Sequence, residues 1–255
     1  MSEILDLTCR VTFQIAAGTY ARLALWTLLP AFVTLLALRY LLHLGWWTIW
    51  LVALPLATVL EGPFTVAASR LMFSERLSAR ATLRIFAGRL VSYVFALLIK
   101  AFVLTLAILP LFIAVPIVWP NLTFVAEATL LEHARATEAW GRSKRLVLGR
   151  TGDALIALVS WLMVRVAFVG AAEMLMQGVV TDILQLGRPF GTLFKQGGTP
   201  YALLGLFLAT PFLATARFLQ YVDTRTRSDG WDLQVRFMAI AAEEERRTGR
   251  KVAAA

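Results

Sequence analysis

Five ionisable side chains interrupt the long apolar stretches of this sequence. They are Glu61, Lys100, Glu127, Arg165 and Glu173. A charge at the centre of a bilayer costs on the order of 2.5–3.5 kcal/mol on insertion scales, so each should face a bundle interior and be paired. The depths of these residues along the predicted spans favour pairing Glu61 with Lys100 and Glu127 with Arg165, while Glu173 lies two turns beyond Arg165.

Two interpretations of this intramembrane charge cluster stay open at the sequence level. The charges could form a polar pathway for an ion or a lipid headgroup, or they could be structural pairs that fix the register of the helices. Three acids nearly balance two bases, and this balance favours the structural interpretation.

Basic residues concentrate in two polar segments that separate the apolar runs. These are Arg76, Arg80, Arg84 and Arg89 in the first segment, and Arg142, Lys144, Arg145 and Arg150 in the second. Each basic residue near an anionic leaflet contributes about 1 kcal/mol to lipid attraction. The pattern predicts contact with anionic lipid, and the alternative is that these residues only set the topology.

A charged motif follows the last apolar run. It consists of Asp223, Arg225, Arg227, Asp229, Gly230 and Asp232. Alternating acids and bases directly after a span predict a salt-bridged cap against neighbouring loops. A docking surface for a protein partner is the alternative, whereas the interleaved arginines argue against a cation site.

The sequence shows no residue set with the spacing of a catalytic or metal site. Cys9 is the single cysteine, and His43 and His133 are the two histidines. The predicted topology puts the histidines on opposite sides of the membrane. There is no Ser/His/Asp set, CxxC pair or glycine-rich phosphate loop. We therefore expect a non-enzymatic protein with no cofactor and no metal.

The composition requires lipid as the solvent for much of this chain. Hydrophobic residues make up 59% of its 255 residues and charged residues 16%, with a mean hydropathy of +0.71. Soluble domains have roughly 45–50% apolar and about 25% charged residues. The net charge of +9 flanks apolar runs, which favours anionic headgroups over nucleic acid as the partner.

The apolar runs predict an all-α integral membrane bundle of six helices. The run 90–131 would extend about 63 Å as one straight helix, twice the hydrocarbon thickness. It must therefore fold back near its prolines at 110, 116 and 120. The predicted spans are 21–42, 46–68, 90–110, 113–131, 154–180 and 200–219, followed by a partly helical tail at 220–255.

The distribution of Lys and Arg predicts that both termini lie in the cytoplasm. Segments assigned to the inside carry most of the 25 basic residues, including Arg217 in the tail count. The outside segments carry Arg39, Arg188 and Lys195. An odd number of spans would put the basic tail outside, so the charge asymmetry also supports an even number.

Three stretches, 5–29, 77–99 and 136–158, share one order of features. Each has a basic amphipathic segment, then a glycine (Gly18, Gly88 or Gly149), then a span. One interpretation is three repeated units, in which an interfacial helix on the inner surface precedes a transmembrane hairpin. The other is that any protein with basic inner loops shows this order.

Two longer motifs give a family resemblance that covers nearly the whole chain. Residues 126–150 read AEATLLEHARATEAWGRSKRLVLGR, and residues 218–233 read FLQYVDTRTRSDGWDL. Both resemble the bacterial multi-pass family that includes the membrane domain of certain glycerophosphodiester phosphodiesterases. The resemblance implies a six-span bundle in a bacterial cytoplasmic membrane, and it does not imply phosphodiesterase activity. The sequence departs from the motif at 228–230, where Ser-Asp-Gly replaces Glu-Gly.

These patterns favour a scaffold or lipid-interacting accessory of the membrane as the function. A transporter, channel or lipid-translocating protein that uses the intramembrane charges is the main alternative, and a membrane-embedded lipid enzyme is a third. The expected partners are membrane lipids, anionic ones first, and a second protein or another copy of the chain. Nucleic acid is not expected.

Overall fold

The computed structural model describes residues 2–72, 78–109, 113–132 and 134–228. Every regular element among them is helical, which confirms the all-α prediction. Two π-helical turns, Val11–Ile15 and Val179–Ile183, lie between α1 and α2 and at the end of α9. The helices are α1 (Ser2–Arg10), α2 (Ala17–Leu41), α3 (Trp46–Met72), α4 (Ala79–Ala87), α5 (Leu90–Ile108), α6 (Val115–Asn121), α7 (Val125–Leu131), α8 (Ala136–Val147), α9 (Thr151–Gly178), α10 (Leu193–Gln196) and α11 (Pro200–Ser228).

Five helices in the described part of the chain are long and apolar enough to cross a membrane. They are α2, α3, α5, α9 with its π-helical turn, and α11. Large apolar side chains on their outer faces stay uncovered, such as Trp26 at 62% exposure and Val91 at 82%. Such faces suit lipid as the surrounding solvent, and the architecture is compatible with a multi-pass membrane protein.

The fourth predicted span, 113–131, is not one continuous helix. It divides into α6 and α7, which are separated by residues 122–124. Pro116 and Pro120 remove two backbone donors just before the break. The N–H of Phe124 at the break finds a side-chain partner, since it donates to Ser143 Oγ at 3.1 Å. A six-helix bundle of uninterrupted spans is therefore not what the chain forms.

α11 is the central helix of the bundle. Most of its residues are buried, and it packs against α1, α2, α3, α8 and α9. At Gly205 it approaches α9 so closely that an added Cβ would lie 2.6 Å from the Phe168 carbonyl oxygen. Small residues allow such contacts between membrane helices. Tyr20 OH and Thr215 Oγ1, 2.7 Å apart, link α2 to α11.

The predicted boundary between membrane domain and tail at 219/220 does not coincide with a break in structure. α11 continues to Ser228, and Gln220 and Tyr221 are buried. Trp161 of α9 donates a hydrogen bond from Nε1 to Gln220 Oε1 at 2.6 Å. The packed bundle therefore extends past residue 219 and includes Gln220 and Tyr221.

A short amphipathic helix precedes each of α2, α5 and α9, as the sequence pattern predicts, but the corners differ. Gly149 has a left-handed φ of +80°, whereas Gly88 has a right-handed φ of −63°. Gly18 lies inside α2, and the corner there is the π-helical turn followed by Ala16. The prediction that a glycine forms the same corner in all three stretches is thus wrong, and the threefold repeat stays a prediction.

The close contact at Gly205 generates a stability prediction. Gly205→Ala should lower the midpoint of thermal unfolding in detergent, since its Cβ would meet Ala172 Cβ at 2.8 Å as well as backbone of α9. Overpacking of this kind costs typically about 1–3 kcal/mol. Gly170→Ala on α9 is the matched control, because nothing lies within 4 Å of its added Cβ. Equal midpoints for the two variants would contradict the packing described.

Candidate functional site

A buried ion-pair network connects four helices, α3, α7, α9 and α11, in the interior of the bundle. Arg217 Nη1 donates to Glu61 Oε2 at 2.8 Å, and Arg217 Nη2 lies 2.9 Å from Glu127 Oε1. Arg165 donates from Nη2 to the other oxygen of Glu61. The two carboxylates are almost fully buried, with Glu61 2% and Glu127 3% exposed.

The elements that carry this network also explain its position. Glu61 begins a run of buried residues on α3 that extends to Ala68. Glu127 lies on α7 just after the break, and Arg217 Nη2 also approaches the carbonyl oxygen of Thr123 at 3.4 Å within the break. One guanidinium therefore holds α3, α7 and the non-helical residues between α6 and α7 against α11.

Both predicted pairings are wrong. Glu61 pairs with Arg165 and Arg217 rather than with Lys100, and Glu127 pairs with Arg217 rather than with Arg165. The reason is that Arg217, counted from sequence with the basic residues of the inner side, lies inside the bundle on α11 and takes both carboxylates. A signal for this existed: 17 residues after Pro200 at 1.5 Å each give about 26 Å, which is short of the hydrocarbon thickness of about 30 Å.

A cavity of about 200 Å³ adjoins the network. It lies among α3, α5, α6, α9 and α11. Three cations and no acid contribute to its wall, together with two tryptophans, a threonine and three leucines. The lining residues are Thr58, Lys100, Trp119, Leu158, Trp161, Leu162, Arg165, Leu213 and Arg217.

Lys100 differs from the two arginines of the cavity in having no acidic partner within 4 Å among the described residues. Its neighbours Arg165 and Arg217 share Glu61 and Glu127, so the group carries one positive charge in excess. Two polar atoms of the network, Glu127 Oε2 and Arg217 Nε, are also buried without a hydrogen-bond partner in the described chain. The site therefore has capacity for a further polar ligand.

Glu173, the fifth predicted member of the cluster, is used elsewhere. Its carboxylate accepts hydrogen bonds from Thr199 Oγ1, from Leu193 N at 3.1 Å and from Gln177 Nε2 at 2.8 Å. Gln177 Nε2 also donates to Gly191 O at 2.8 Å. These bonds fasten the loop between α9 and α11 to the end of α9, so Glu173 anchors a loop.

The basic residues predicted to meet anionic lipid fall into two groups. Arg80 and Arg84 are exposed on α4 and Arg89 is half-buried, whereas Arg76 lies outside the described residues. On and after α8, the side chains of Lys144, Arg145 and Arg150 are exposed.

Arg142 forms a salt bridge with Glu132 and is thereby less available to lipid. Glu132 was not among the predicted site residues, yet it is the centre of a second polar group. It also accepts a hydrogen bond from Tyr221 OH and lies 3.3 Å from Arg225 Nη1.

The charged motif after the last apolar run is described as far as residue 228. Arg227 Nε donates to Asp223 Oδ1 at 2.8 Å along α11, while Arg225 reaches Glu132 on another segment. Asp229, Gly230 and Asp232 lie outside the described residues, as does His133. In its described part the motif therefore joins the end of α11 to the segment between α7 and α8.

Comparison with family profiles, with curated proteins and with solved structures gives no match for this chain. Among the residues that the structure describes, no group of three or more His, Cys, Asp or Glu side chains could hold a metal ion. The ion-pair network and its cavity are therefore the features of the molecule that bear on its function.

Removal of Arg217, the central cation of the network, should destabilise the folded protein strongly. Arg217→Met should cost about 3–5 kcal/mol of stability, because two buried carboxylates lose a partner at once. The recovery of folded protein after detergent extraction, together with its thermal midpoint, measures this. Adding Glu127→Gln should restore part of the loss, since it removes one of the stranded charges.

The matched control for this prediction is Arg227→Met. Arg227 pairs with Asp223, but the arginine side chain is 57% exposed. Exposed pairs contribute about 0–1 kcal/mol. A normal yield and midpoint for Arg217→Met would show that the network is not needed for folding.

Proposed function

We propose that this chain is a non-enzymatic, multi-pass membrane protein that binds an anionic lipid in the cavity beside its ion-pair network. The observation that carries the proposal is the composition of the cavity wall, which includes Lys100, Arg165 and Arg217 and no acid. An unneutralised cation in a low-dielectric environment is costly. An anion placed in the cavity lowers that cost.

The position of the cavity favours a ligand that arrives from the bilayer. Leu162 lines the cavity and is also 44% exposed on the outer face of α9. Neighbouring outward side chains, Met163 and Val166, are 58% and 59% exposed. A lipid can therefore put its charged group against the cations while its acyl chains lie along the apolar face of α9.

The charge balance sets the preferred valence of the ligand. Three cations face the two carboxylates Glu61 and Glu127, so one negative charge makes the group neutral. A phosphodiester headgroup, as in phosphatidylglycerol, supplies that single charge. A cavity of about 200 Å³ admits such a headgroup or part of it and leaves the acyl chains outside.

The topology that accompanies this proposal has six passes, with α6 and α7 together as the fourth. The amphipathic helices α1, α4 and α8 then lie on the cytoplasmic side of a bacterial inner membrane, as do both termini. Exposed cations such as Arg80, Arg84 and Lys144 support this orientation through the positive-inside rule. The resemblance to the membrane domain of certain glycerophosphodiester phosphodiesterases agrees with this topology.

Lys100 is the residue on which the lipid proposal is tested. Lys100→Met should reduce phosphatidylglycerol retained by the purified protein about tenfold, the factor expected for about 1.4 kcal/mol of lost attraction. Native mass spectrometry in phosphatidylglycerol and phosphatidylcholine nanodiscs measures the bound lipid.

Lys195→Met is the matched control, because Lys195 is an exposed lysine on α10, outside the cavity. Folding is checked in both variants by gel filtration. Unchanged phosphatidylglycerol retention in a folded Lys100→Met protein would refute the site.

A second candidate function is translocation of that lipid, and the break at 122–124 favours it. Discontinuous helices line the substrate sites of many transporters, where unwound backbone is tolerated beside a polar cavity. Here the carbonyl oxygen of Thr123 in the break faces Arg217 at 3.4 Å, next to the cavity.

Translocation has its own measurement. In proteoliposomes that carry a fluorescent phosphatidylglycerol analogue, the protein should speed loss of inner-leaflet label to external dithionite, and Lys100→Met should slow it. If the protein binds phosphatidylglycerol but the label is lost no faster than in empty liposomes, translocation is refuted and lipid binding alone stays as the proposed function.

A further inference from the structure

A second cavity lies on the other side of α6, between α6 and α8. Its volume is about 250 Å³, and its lining residues are Val118, Asn121, Thr137, Trp140, Gly141 and Lys144. We call it the α6–α8 groove. Trp119 lies between Val118 and Asn121 on α6, but it lines the cavity beside the ion-pair network instead. α6 therefore separates two distinct sites.

The groove is formed by one face of an amphipathic helix. Thr137, Trp140 and Lys144 follow each other at three- and four-residue spacing, which places them on the same side of α8. The adjacent side of α8, with Ala139 and Ser143, is buried in the bundle. Gly141 has nothing within 4 Å of an added Cβ, so the groove is open above it.

The polar groups of the groove offer one positive charge and one acceptor. Lys144 is exposed and has no acidic partner within 4 Å in the described part of the chain. Asn121 Nδ2 donates to Ile117 O at 2.8 Å along α6. This bond fixes the amide so that Oδ1 is the atom left to accept a hydrogen bond. Trp140, 38% exposed, adds an aromatic surface of the type found at membrane interfaces.

We propose that the α6–α8 groove binds the headgroup of an ethanolamine phospholipid. The phosphate binds the ammonium of Lys144, and the lipid ammonium donates to Asn121 Oδ1 beside the ring of Trp140. A headgroup with both charges fits a groove that has a cation and a neutral acceptor. This site is separate from the anionic-lipid cavity and does not depend on Lys100.

The chemistry of the acceptor gives the selectivity. An ethanolamine ammonium has N–H groups that can donate to Asn121 Oδ1, whereas a choline headgroup has the same charge and no donor. A site that forms a hydrogen bond to a ligand discriminates against the analogue that lacks the donor. Both headgroups keep the phosphate, so Lys144 attracts them equally.

The experiment compares phosphatidylethanolamine and phosphatidylcholine with identical acyl chains, supplied at equal amounts to the detergent-purified full chain. Native mass spectrometry reads the ratio of the two bound lipids. The native chain should retain the ethanolamine lipid about five to ten times better, the size expected for one hydrogen bond at an open site. Asn121→Leu should bring the ratio near one. Lys144→Gln should weaken both lipids by a similar factor and leave the ratio unchanged.

Arg145→Gln is the matched control, since Arg145 is an exposed cation on the same helix but not in the groove. It should change neither binding nor ratio, and Lys100→Met should leave the ratio as it is in the native chain. Equal retention of the two lipids by the native chain overturns the proposal, as does a ratio that survives Asn121→Leu. Stronger retention of phosphatidylglycerol that Lys144→Gln abolishes would make the groove a general anion site, and this also overturns it.

Discussion

The guanidinium of Arg217 is the interaction on which the interior of this bundle depends. It bonds the carboxylates of Glu61 and Glu127 and approaches a backbone carbonyl in the break between α6 and α7. Arginine suits this role because its planar group has five donors in a fixed geometry and stays charged when buried. Arg217 thereby fixes the positions of α3, α7 and α11 relative to one another. Arg165 of α9 joins the same network through its salt bridge with Glu61.

The same arrangement produces the cavity. Because the two carboxylates are used by the two arginines, Lys100 is left facing open space rather than an acid. The buried Trp161, held by Gln220 at 2.6 Å, forms another part of the wall. A structural ion-pair network and a ligand site are therefore not alternatives in this molecule. The network is what positions the surplus cation that the proposed lipid would bind.

Two further carboxylates hold the ends of the bundle. Glu173 gathers the loop before α11 through hydrogen bonds from backbone and side chains. Glu132 gathers Arg142, Tyr221 and Arg225 between α7, α8 and the end of α11. Between these ends, α6 is flanked by a cavity on each side. Each of the two cavities is lined by one lysine, Lys100 or Lys144, that has no acid within 4 Å among the described residues. The two proposed lipid sites differ in the second polar group that accompanies this lysine.

The sequence by itself determined the helical class, the stretches that become the five long apolar helices, and the amphipathic helices before α2, α5 and α9. These follow from hydropathy and charge period, which act locally along the chain. It also placed Glu61, Glu127 and Arg165 in the interior, because a charge in an apolar run has to be buried and paired.

The partners of those charges were decided only by tertiary structure. Depth along a span cannot tell which faces of two helices meet, so Lys100 was assigned to Glu61 although Arg217 takes that place. Arg217 was counted with the basic residues of the inner side and not with the intramembrane charges, because it lies near the end of the predicted span at 219, whereas α11 continues to Ser228. The break at 122–124 likewise depends on Ser143 and Arg217, which are distant in sequence and supply the polar contacts that an interrupted helix needs. The ion-pair network and its cavity therefore depend on contacts between side chains that are far apart in the sequence, and no local pattern predicts such contacts.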